Sequence, residues 1–391
     1  MGSKSALRTW LLALLPLVLL AALLVAIVKL DPASALGGDA PPVEELEFER
    51  VVLEPGRILL TVINDGPDPV HIAQVMVDEA YWQFTQEQAG ELAHLDRARL
   101  VVPYPWVEGE AHEVVLVTAT GMTFAHEIAV ALETPRPSGQ AFLLFALIGI
   151  YVGVLPVTLG LLWYPLIRNL GRSGLDFVLS LTVALLVFLF VDTAEDALEA
   201  AGALAESFQG VTLFSVVAIL AYLGIEALGK RLETGKGALS AAWVTALLVA
   251  IGIGLHNFGE GLAIGAAFSL GELTLGTLLI LGFTLHNTTE GLAIVSPLAK
   301  ERVSLGRLAW LGFIAGAPTI AGAWVGGFVY SPVWSVVFLA IGAGAIAQVV
   351  VQITRGTAGD RRLGELITSR SVFLGLLAGF GVMYLTGMLV G

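Results

Sequence analysis

Cysteine is absent from the 391 residues, and charged residues make up only 14% of the chain. Without cysteine, the chain forms neither disulfides nor thiolate metal sites. A bound metal therefore needs His, Asn, Asp, Glu, Met or water as its ligands. Hydrophobic residues reach 56% and the mean hydropathy is +0.84, which excludes an ordinary soluble domain.

Charge is scarcest in nine apolar runs, each about 20 residues long, the length that a helix needs to cross a bilayer. They lie near residues 9–28, 140–164, 174–194, 210–229, 240–268, 273–298, 306–329, 332–353 and 370–390. The first run, in residues 1–31, is predicted to be either a permanent anchor or a secretory signal with the small-residue cleavage site Ala33 to Ala35. Its length favours the anchor, because signal cores are shorter, at about 7–15 residues.

Basic residues occupy alternate connections between the last eight runs, and this asymmetry predicts an orientation. They are Arg168 and Arg172; Lys230, Arg231 and Lys236; Lys300, Arg302 and Arg307; and Arg355, Arg361 and Arg362. The positive-inside rule makes these connections cytoplasmic, so that the eight-helix body begins and ends outside. Lys4 and Arg8 place the N-terminus inside by the same rule. We therefore expect a multi-pass protein of the cell membrane with residues 32–138 outside.

Residues 32–138 are acidic and strand-like. Positions 31–138 hold 19 acidic residues and 5 arginines, which accounts for the net charge of −13 on the whole chain. Short alternating runs between turn residues predict an extracytoplasmic β-sandwich of immunoglobulin-like or cupredoxin-like shape. A blue-copper site is excluded because it requires cysteine. The histidines are interpreted as strand and loop residues on a solvated acidic face rather than as ligands: His71, His94, His112 and His126.

Two copies of one polar motif interrupt neighbouring apolar runs, HNFGEG and HNTTEG. Helical spacing puts the polar residues of each copy on one face: His256, Asn257 and Glu260 in the first, and His286, Asn287 and Glu290 in the second. Only SLGE joins the two runs, so we expect antiparallel neighbours with both motifs near mid-membrane. A carboxylate at that depth costs about 2.5–3.5 kcal/mol, and a divalent cation bound by both motifs would offset this cost.

Two imidazoles and two carboxylates suit Zn²⁺, Fe²⁺, Mn²⁺ or Cd²⁺ better than Ca²⁺ or Mg²⁺, which prefer oxygen ligands. Gly261, Gly265 and Gly282 are predicted to let the two motif helices approach closely. The alternative is a pair of His–Glu hydrogen bonds that joins the helices without metal. A second copy of the motif at the same depth favours the metal site.

With these two motifs, residues 139–391 resemble the ZIP (Zrt/Irt-like protein) family of divalent-metal transporters. In that family, core helices four and five carry H-N-x-P-E-G-like and H-x-x-x-E-G-like motifs, and both core termini face outside. The resemblance implies an all-α bundle of eight transmembrane helices. It also implies that His256, Glu260, His286 and Glu290 form the main transport site, with Asn257 and Asn287 in a second, adjacent metal position.

The second core helix adds an acidic stretch, DTAEDALE, where many ZIP proteins have a H-L-L-P-E-A-L-E-like stretch. Its four carboxylates are predicted to form a cation entrance, and the alternative is a solvated, capped helix end: Asp192, Glu195, Asp196 and Glu199. The chain departs from the family pattern at several other positions, which favours one metal site over two. These are Gly259 and Thr289 in place of proline, Ala317 before Pro318, and Gln352 in place of a glutamate.

The resulting prediction is transport of a divalent transition metal into the cytoplasm by alternating access. Zinc is the first choice, followed by iron, manganese or cadmium. The metal is substrate, and neither a cofactor nor enzymatic activity is expected. The expected partners are the cation, the lipid bilayer, a second copy in a homodimer and an unidentified partner of the β-domain, but no nucleic acid. The alternatives are a membrane-anchored metal sensor without flux and an intramembrane metallohydrolase.

Overall fold

The computed structural model describes residues 14–26, 42–88, 90–234, 239–270, 273–358, 364 and 368–388. Several sequence features lie outside these ranges: Lys4, Arg8, Ala33 to Ala35, Lys236, Arg361 and Arg362. The N-terminal helix, Leu14–Ala26, is apolar and belongs to a unit of its own, Met1–Val43. The remainder, Glu44–Gly391, forms the second unit and contains a β-sandwich and a helix bundle.

Among the described residues, eight antiparallel strands make two four-stranded sheets, ordered β1-β2-β6-β5 and β4-β3-β7-β8. Side chains alternate between the inside and outside of each strand, so Leu60 and Leu100 from one sheet share a core with Val75 and Leu116 from the other. The predicted N-terminal β region is therefore present. The strands are β1 Leu46–Glu54, β2 Arg57–Asn64, β3 Ile72–Val77, β4 Ala80–Trp82, β5 Thr85–Gln86, β6 Arg97–Val102, β7 His112–Thr118 and β8 Thr123–Ile128.

One histidine of the sandwich is buried, so the expectation of a solvated face is wrong for His112. It is 4% exposed because it occupies an inward position of β7. Its Nδ1 lies 2.7 Å from Asp78 Oδ2, and the Tyr104 hydroxyl donates to the same oxygen at 2.6 Å. The hydrogen bond to Asp78 raises the pKa of Tyr104 to about 12. These polar contacts let a histidine enter an otherwise apolar sheet face.

In the described part of the chain, eight helices are long and apolar enough to cross a membrane, which is the architecture of a multi-pass membrane protein. They are α1 Gly139–Ile167, α2 Arg172–Gly202, α3 Gly210–Thr234, α4 Ala241–Ser269, α5 Leu273–Val295, α6 Leu305–Val329, α7 Pro332–Ala358 and α8 Arg370–Met388. Ser138 starts α1 by accepting a hydrogen bond from the Ala141 amide. A π-helical turn, Ile150–Val154, interrupts α1, and Pro318 divides α6. The α4 helix packs against α5, α6 and α7 and is buried over much of its length.

The two ends of the bundle differ in chemistry. At one end, Asp65 of the sandwich accepts hydrogen bonds from the backbone amides of Glu206 and Ser207, in the connection between α2 and α3. Arg50 donates to the Phe328 carbonyl at 3.5 Å, at the end of α6. At the other end, a cavity of about 830 Å³ is lined by Arg168, Arg172 and Lys300, among others. Three of the basic residues predicted to share one side of the membrane thus line one cavity.

Candidate metal centre

The two polar motifs meet in the middle of the bundle. One ligand atom from each of four side chains lies within 4.8 Å of the others: His256, Glu260, His286 and Glu290. All four residues are buried, with 3–8% exposure. Among the described residues, this is the one group of three or more such side chains arranged to hold a metal. As expected, each motif presents its His and Glu on one helix face, and α4 packs against α5, so the four side chains meet.

Glu260 contacts three other side chains of the two motifs. Its Oε1 atom lies 3.2 Å from His256 Nε2 on the same helix and also contacts His286 Nε2 on α5. Its Oε2 atom accepts a hydrogen bond of 2.9 Å from Asn287 Nδ2. The imidazole rings of the two histidines lie 6.3 Å apart between centroids. Two ring nitrogens and one carboxylate oxygen therefore point at the same small volume.

The two asparagines link each motif to the carboxylate of the other. Asn257 donates to Glu290 Oε2 at 3.1 Å, and Asn287 donates to Glu260 Oε2 at 2.9 Å. Each amide group uses its second N–H on a backbone carbonyl. The other acceptor of Asn257 is the Ala315 carbonyl at 3.1 Å, and that of Asn287 is the Val152 carbonyl at 3.0 Å.

Proline and helix ends explain why those carbonyls accept side-chain bonds. Pro156 stands four residues after Val152 and has no N–H to complete the usual helical hydrogen bond. Ala315 lies in the last turn before α6 is interrupted at Ala317, where carbonyls lack intrahelical partners. Each asparagine therefore finds a free backbone carbonyl on a neighbouring helix, α6 for Asn257 and α1 for Asn287.

Three acceptor oxygens in the cluster are buried without a hydrogen-bond donor among the described residues. They are Asn257 Oδ1, Asn287 Oδ1 and Glu290 Oε1. A buried polar atom without a partner costs about 1–3 kcal/mol. Imidazole nitrogens, carboxylate oxygens and amide oxygens are ligands for Zn²⁺ and for other borderline divalent ions, and the donor set therefore fits such a cation.

Two glycines of α4, one in the motif and one four residues after it, pack against a different helix from the one predicted. A Cβ at Gly261 would lie 2.1 Å from the Thr319 carbonyl oxygen, and one at Gly265 would lie 2.3 Å from the Ala323 carbonyl oxygen. Both carbonyls belong to α6, so the expectation that these two glycines bring α4 close to α5 is wrong. Gly291 has the matching role on α5, where a Cβ would lie 2.2 Å from the Val157 oxygen of α1. The physical reason is that the polar face occupies the α4–α5 contact, leaving the glycines for the flanking contacts.

Where the family pattern has proline, Thr289 donates its hydroxyl to the His286 carbonyl at 2.6 Å. This side chain thus bonds back to its own helix, as threonine hydroxyls in helices regularly do. At the other position, a Cβ on Gly259 would lie 2.9 Å from Leu339 Cδ2 of α7.

The acidic stretch of α2 divides into two pairs. Asp192 and Asp196 line a cavity of about 260 Å³, here called the access cavity, together with His286. Side chains of α2, α5 and α8 form its walls. Glu195 and Glu199 do not line it; Glu195, Asp196 and Glu199 are exposed, and Asp192 is half-buried. Of the four predicted entrance residues, the structure brings two to the metal-ligand cluster.

Several polar residues around the site were not singled out by the sequence motifs. Thr193 Oγ1 lies 2.8 Å from His256 Nδ1 and is fully buried. Farther along the bundle, Gln348 donates to Glu226 at 3.1 Å and to Gln352 at 3.0 Å. Gln352 in turn donates to Thr245 at 3.2 Å, which gives a polar role to the position where a glutamate was expected. Isolated polar residues in apolar runs are the only sequence signal for this group.

No family model matches the sequence, and no curated protein matches it. The likeness to the ZIP family therefore rests on the motifs and their placement.

Proposed function

We propose that this chain transports a divalent transition-metal cation across the membrane through the His/Glu cluster of α4 and α5. The observation that carries the proposal is the convergence of four ligand atoms, from two copies of one motif, within 4.8 Å. Buried carboxylates in a membrane helix are costly, and a bound cation compensates their charge. Zinc is the first candidate substrate, because two imidazoles and two carboxylates form a donor set that zinc favours.

The access cavity supports movement of the ion rather than permanent storage. It joins the carboxylates of Asp192 and Asp196 to His286, one of the four ligands. A negative cavity wall concentrates cations and favours their loss of water next to the site. A sensor without flux needs only the buried cluster, whereas a transporter also needs a route to it.

The packing of the motif helices supports alternating access. Glycines join α4 closely to α6, and other glycines join α5 closely to α1. Glycines also join α1 closely to α6, where a Cβ at Gly149 would lie 2.6 Å from Ile320 Cα, so the ligands belong to one group of four helices. Movement of this group against the other helices would open and close the cluster. Broken helices near a mid-membrane site, here the π-helical turn of α1 and the interruption of α6, are typical of such transporters.

The direction of transport follows from the two ends of the bundle. The basic end is cytoplasmic by the positive-inside rule, and the sandwich end is extracytoplasmic. The ion enters past Asp192 and Asp196 and leaves at the basic end. On this proposal the bundle is a member of the ZIP family, carrying an added N-terminal anchor and an added β-domain.

A flux assay tests the proposal. Purified protein in liposomes with a metal-sensitive dye inside is challenged with Zn²⁺, Fe²⁺, Mn²⁺ and Cd²⁺, beside the double variant Glu260→Ala, Glu290→Ala. We expect saturable entry of at least one ion in the wild type and its loss in the double variant. Binding without entry in the wild type would contradict transport and favour a sensor.

The same assay separates the two acidic pairs of α2. Asp192→Asn with Asp196→Asn removes two charges from the access cavity, and we expect a lower initial rate at low metal concentration. Glu195→Gln with Glu199→Gln removes two charges from the same helix outside the cavity, and is the matched control with near wild-type flux. Equal losses in both variants would contradict a route through this cavity.

A further inference from the structure

We propose that Thr193 is a positioning residue for the metal site: it fixes the tautomer of His256 so that Nε2 is the metal-binding atom. The inference rests on the proposed function, because it concerns the same site. Thr193 is not itself a metal ligand and acts through the imidazole ring of His256. It lies on α2, one residue after Asp192 of the access cavity.

The Thr193 hydroxyl has a single proton, and the position of that proton decides the tautomer of His256. Thr193 Oγ1 lies 2.7 Å from the Leu189 carbonyl oxygen and 2.8 Å from His256 Nδ1. A carbonyl oxygen only accepts, so a contact of 2.7 Å requires the threonine proton to lie between the two oxygens. The hydroxyl then has only lone pairs left for the imidazole. His256 Nδ1 must therefore be the donor in the second contact.

Burial makes this arrangement durable. Thr193 is 0% exposed and His256 is 4% exposed, so water does not compete for either atom. Bonding of a threonine hydroxyl to the carbonyl four residues earlier is a regular feature of helices. The tautomer is thus determined by a backbone group of α2.

A proton fixed on Nδ1 leaves Nε2 of His256 free to bind a metal. With the proton on Nδ1, a neutral His256 presents the lone pair of Nε2, which lies 3.2 Å from Glu260 Oε1. Two electron-rich atoms at this separation are stabilised by a positive charge between them. This is the arrangement in which a metal-binding histidine donates its second nitrogen to an outer partner. Among the described residues, no hydroxyl takes the same role at Nδ1 of His286.

The test compares metal binding by three variants of the full chain in detergent. Thr193→Val keeps the shape but removes the hydroxyl, and Thr193→Ser keeps the hydroxyl. Thr182→Val removes a buried hydroxyl of the same helix that donates to Ser296 at 3.3 Å, so it controls for general loss of packing. We expect Thr193→Val to weaken Zn²⁺ affinity about 10–100-fold, the usual effect of losing an outer partner. Thr193→Ser and Thr182→Val should bind Zn²⁺ as the wild type does.

A spectroscopic readout reports the tautomer directly. In protein loaded with ¹¹³Cd²⁺ and labelled with ¹⁵N-histidine, we expect coupling of the metal to Nε2 of His256 and a retained proton on Nδ1. Coupling to Nδ1, or equal Zn²⁺ affinity of Thr193→Val and the wild type, would overturn the inference while leaving the proposed function intact. A wild type that binds neither ion would instead overturn the proposed function, and this inference with it.

Discussion

The two asparagines of the repeated motif are equivalent in sequence but should differ in their effect on stability. Asn257→Leu and Asn287→Leu are nearly isosteric changes, and each removes one hydrogen bond to a carboxylate and one to a carbonyl. Loss of a hydrogen bond to a charged group costs about 1.5–3 kcal/mol, and a carbonyl left buried without a donor costs about 1–3 kcal/mol. These losses are shared by the two variants.

The difference lies in what remains at each carboxylate. Without Asn287, Glu260 Oε2 loses its donor, but Oε1 keeps its contact with His286 Nε2. Without Asn257, Glu290 has no hydrogen-bond partner left among the described residues, because its Oε1 has none already. Each change leaves one more carboxylate oxygen without a donor, but only Asn257→Leu leaves a whole buried carboxyl group without one, which adds about 1–3 kcal/mol. We therefore expect Asn257→Leu to be the more destabilising change by about that amount.

The assay is thermal unfolding of each purified variant in a chelator, followed by tryptophan fluorescence. At an unfolding entropy of about 2.1 cal/mol/K per residue, a chain of this length loses roughly 1 °C in Tm per kcal/mol. The metal-free Tm of Asn257→Leu should lie about 1–4 °C below that of Asn287→Leu. Added Zn²⁺ should narrow the gap, since the ion can neutralise Glu290. Equal melting temperatures without metal, or the reverse order, would refute this account of the cluster.

Two further changes test packing and ionisation outside the ligand set. Gly261→Ala places a Cβ 2.1 Å from the Thr319 carbonyl oxygen, and separating the two backbones should cost about 1–3 kcal/mol, whereas Gly224→Ala has nothing within 4 Å and should not lower the melting temperature. Equal melting of these two variants would argue against close backbone packing of α4 on α6. The phenol of Tyr104, with a pKa raised to about 12 by its hydrogen bond to Asp78, stabilises the protonated folded state. That contribution is complete below pH ~10, the pKa in the unfolded chain, and is lost as the pH rises toward 12. An absorbance titration should show one late tyrosine that Tyr104→Phe removes, and an unchanged titration curve in that variant would contradict the assignment.

The spacing of the two motifs was sufficient to predict which side chains would meet. Residues three and four apart share a helix face whatever surrounds them, so His256 and Glu260 could be paired from the sequence. The short SLGE connection brought the second motif, with His286 and Glu290, to the same depth on an antiparallel neighbour. Local geometry and one short loop were enough for the four-residue cluster.

Features that depend on distant helices could not be predicted in this way. The partner of Gly261 is α6, and nothing within the motif indicates which of several helices a glycine will face. The same limit applies to Thr193, whose role depends on the distance from α2 to α4 rather than on any spacing. Which two of the four acidic residues line the access cavity depends on the rotation of α2 about its axis, which an acidic sequence alone leaves open.

The central claim is that the two motifs build one metal site, and X-ray absorption of the Zn²⁺-loaded protein tests it most directly. The measurement combines metal content with the Zn²⁺ ligand shell in the wild type and in the Glu260→Ala, Glu290→Ala double variant. The account predicts one Zn²⁺ per chain, with imidazole nitrogens and carboxylate oxygens at about 2.0–2.2 Å, and loss of that shell in the double variant. A wild-type shell without imidazole, or an unchanged shell in the double variant, would contradict it.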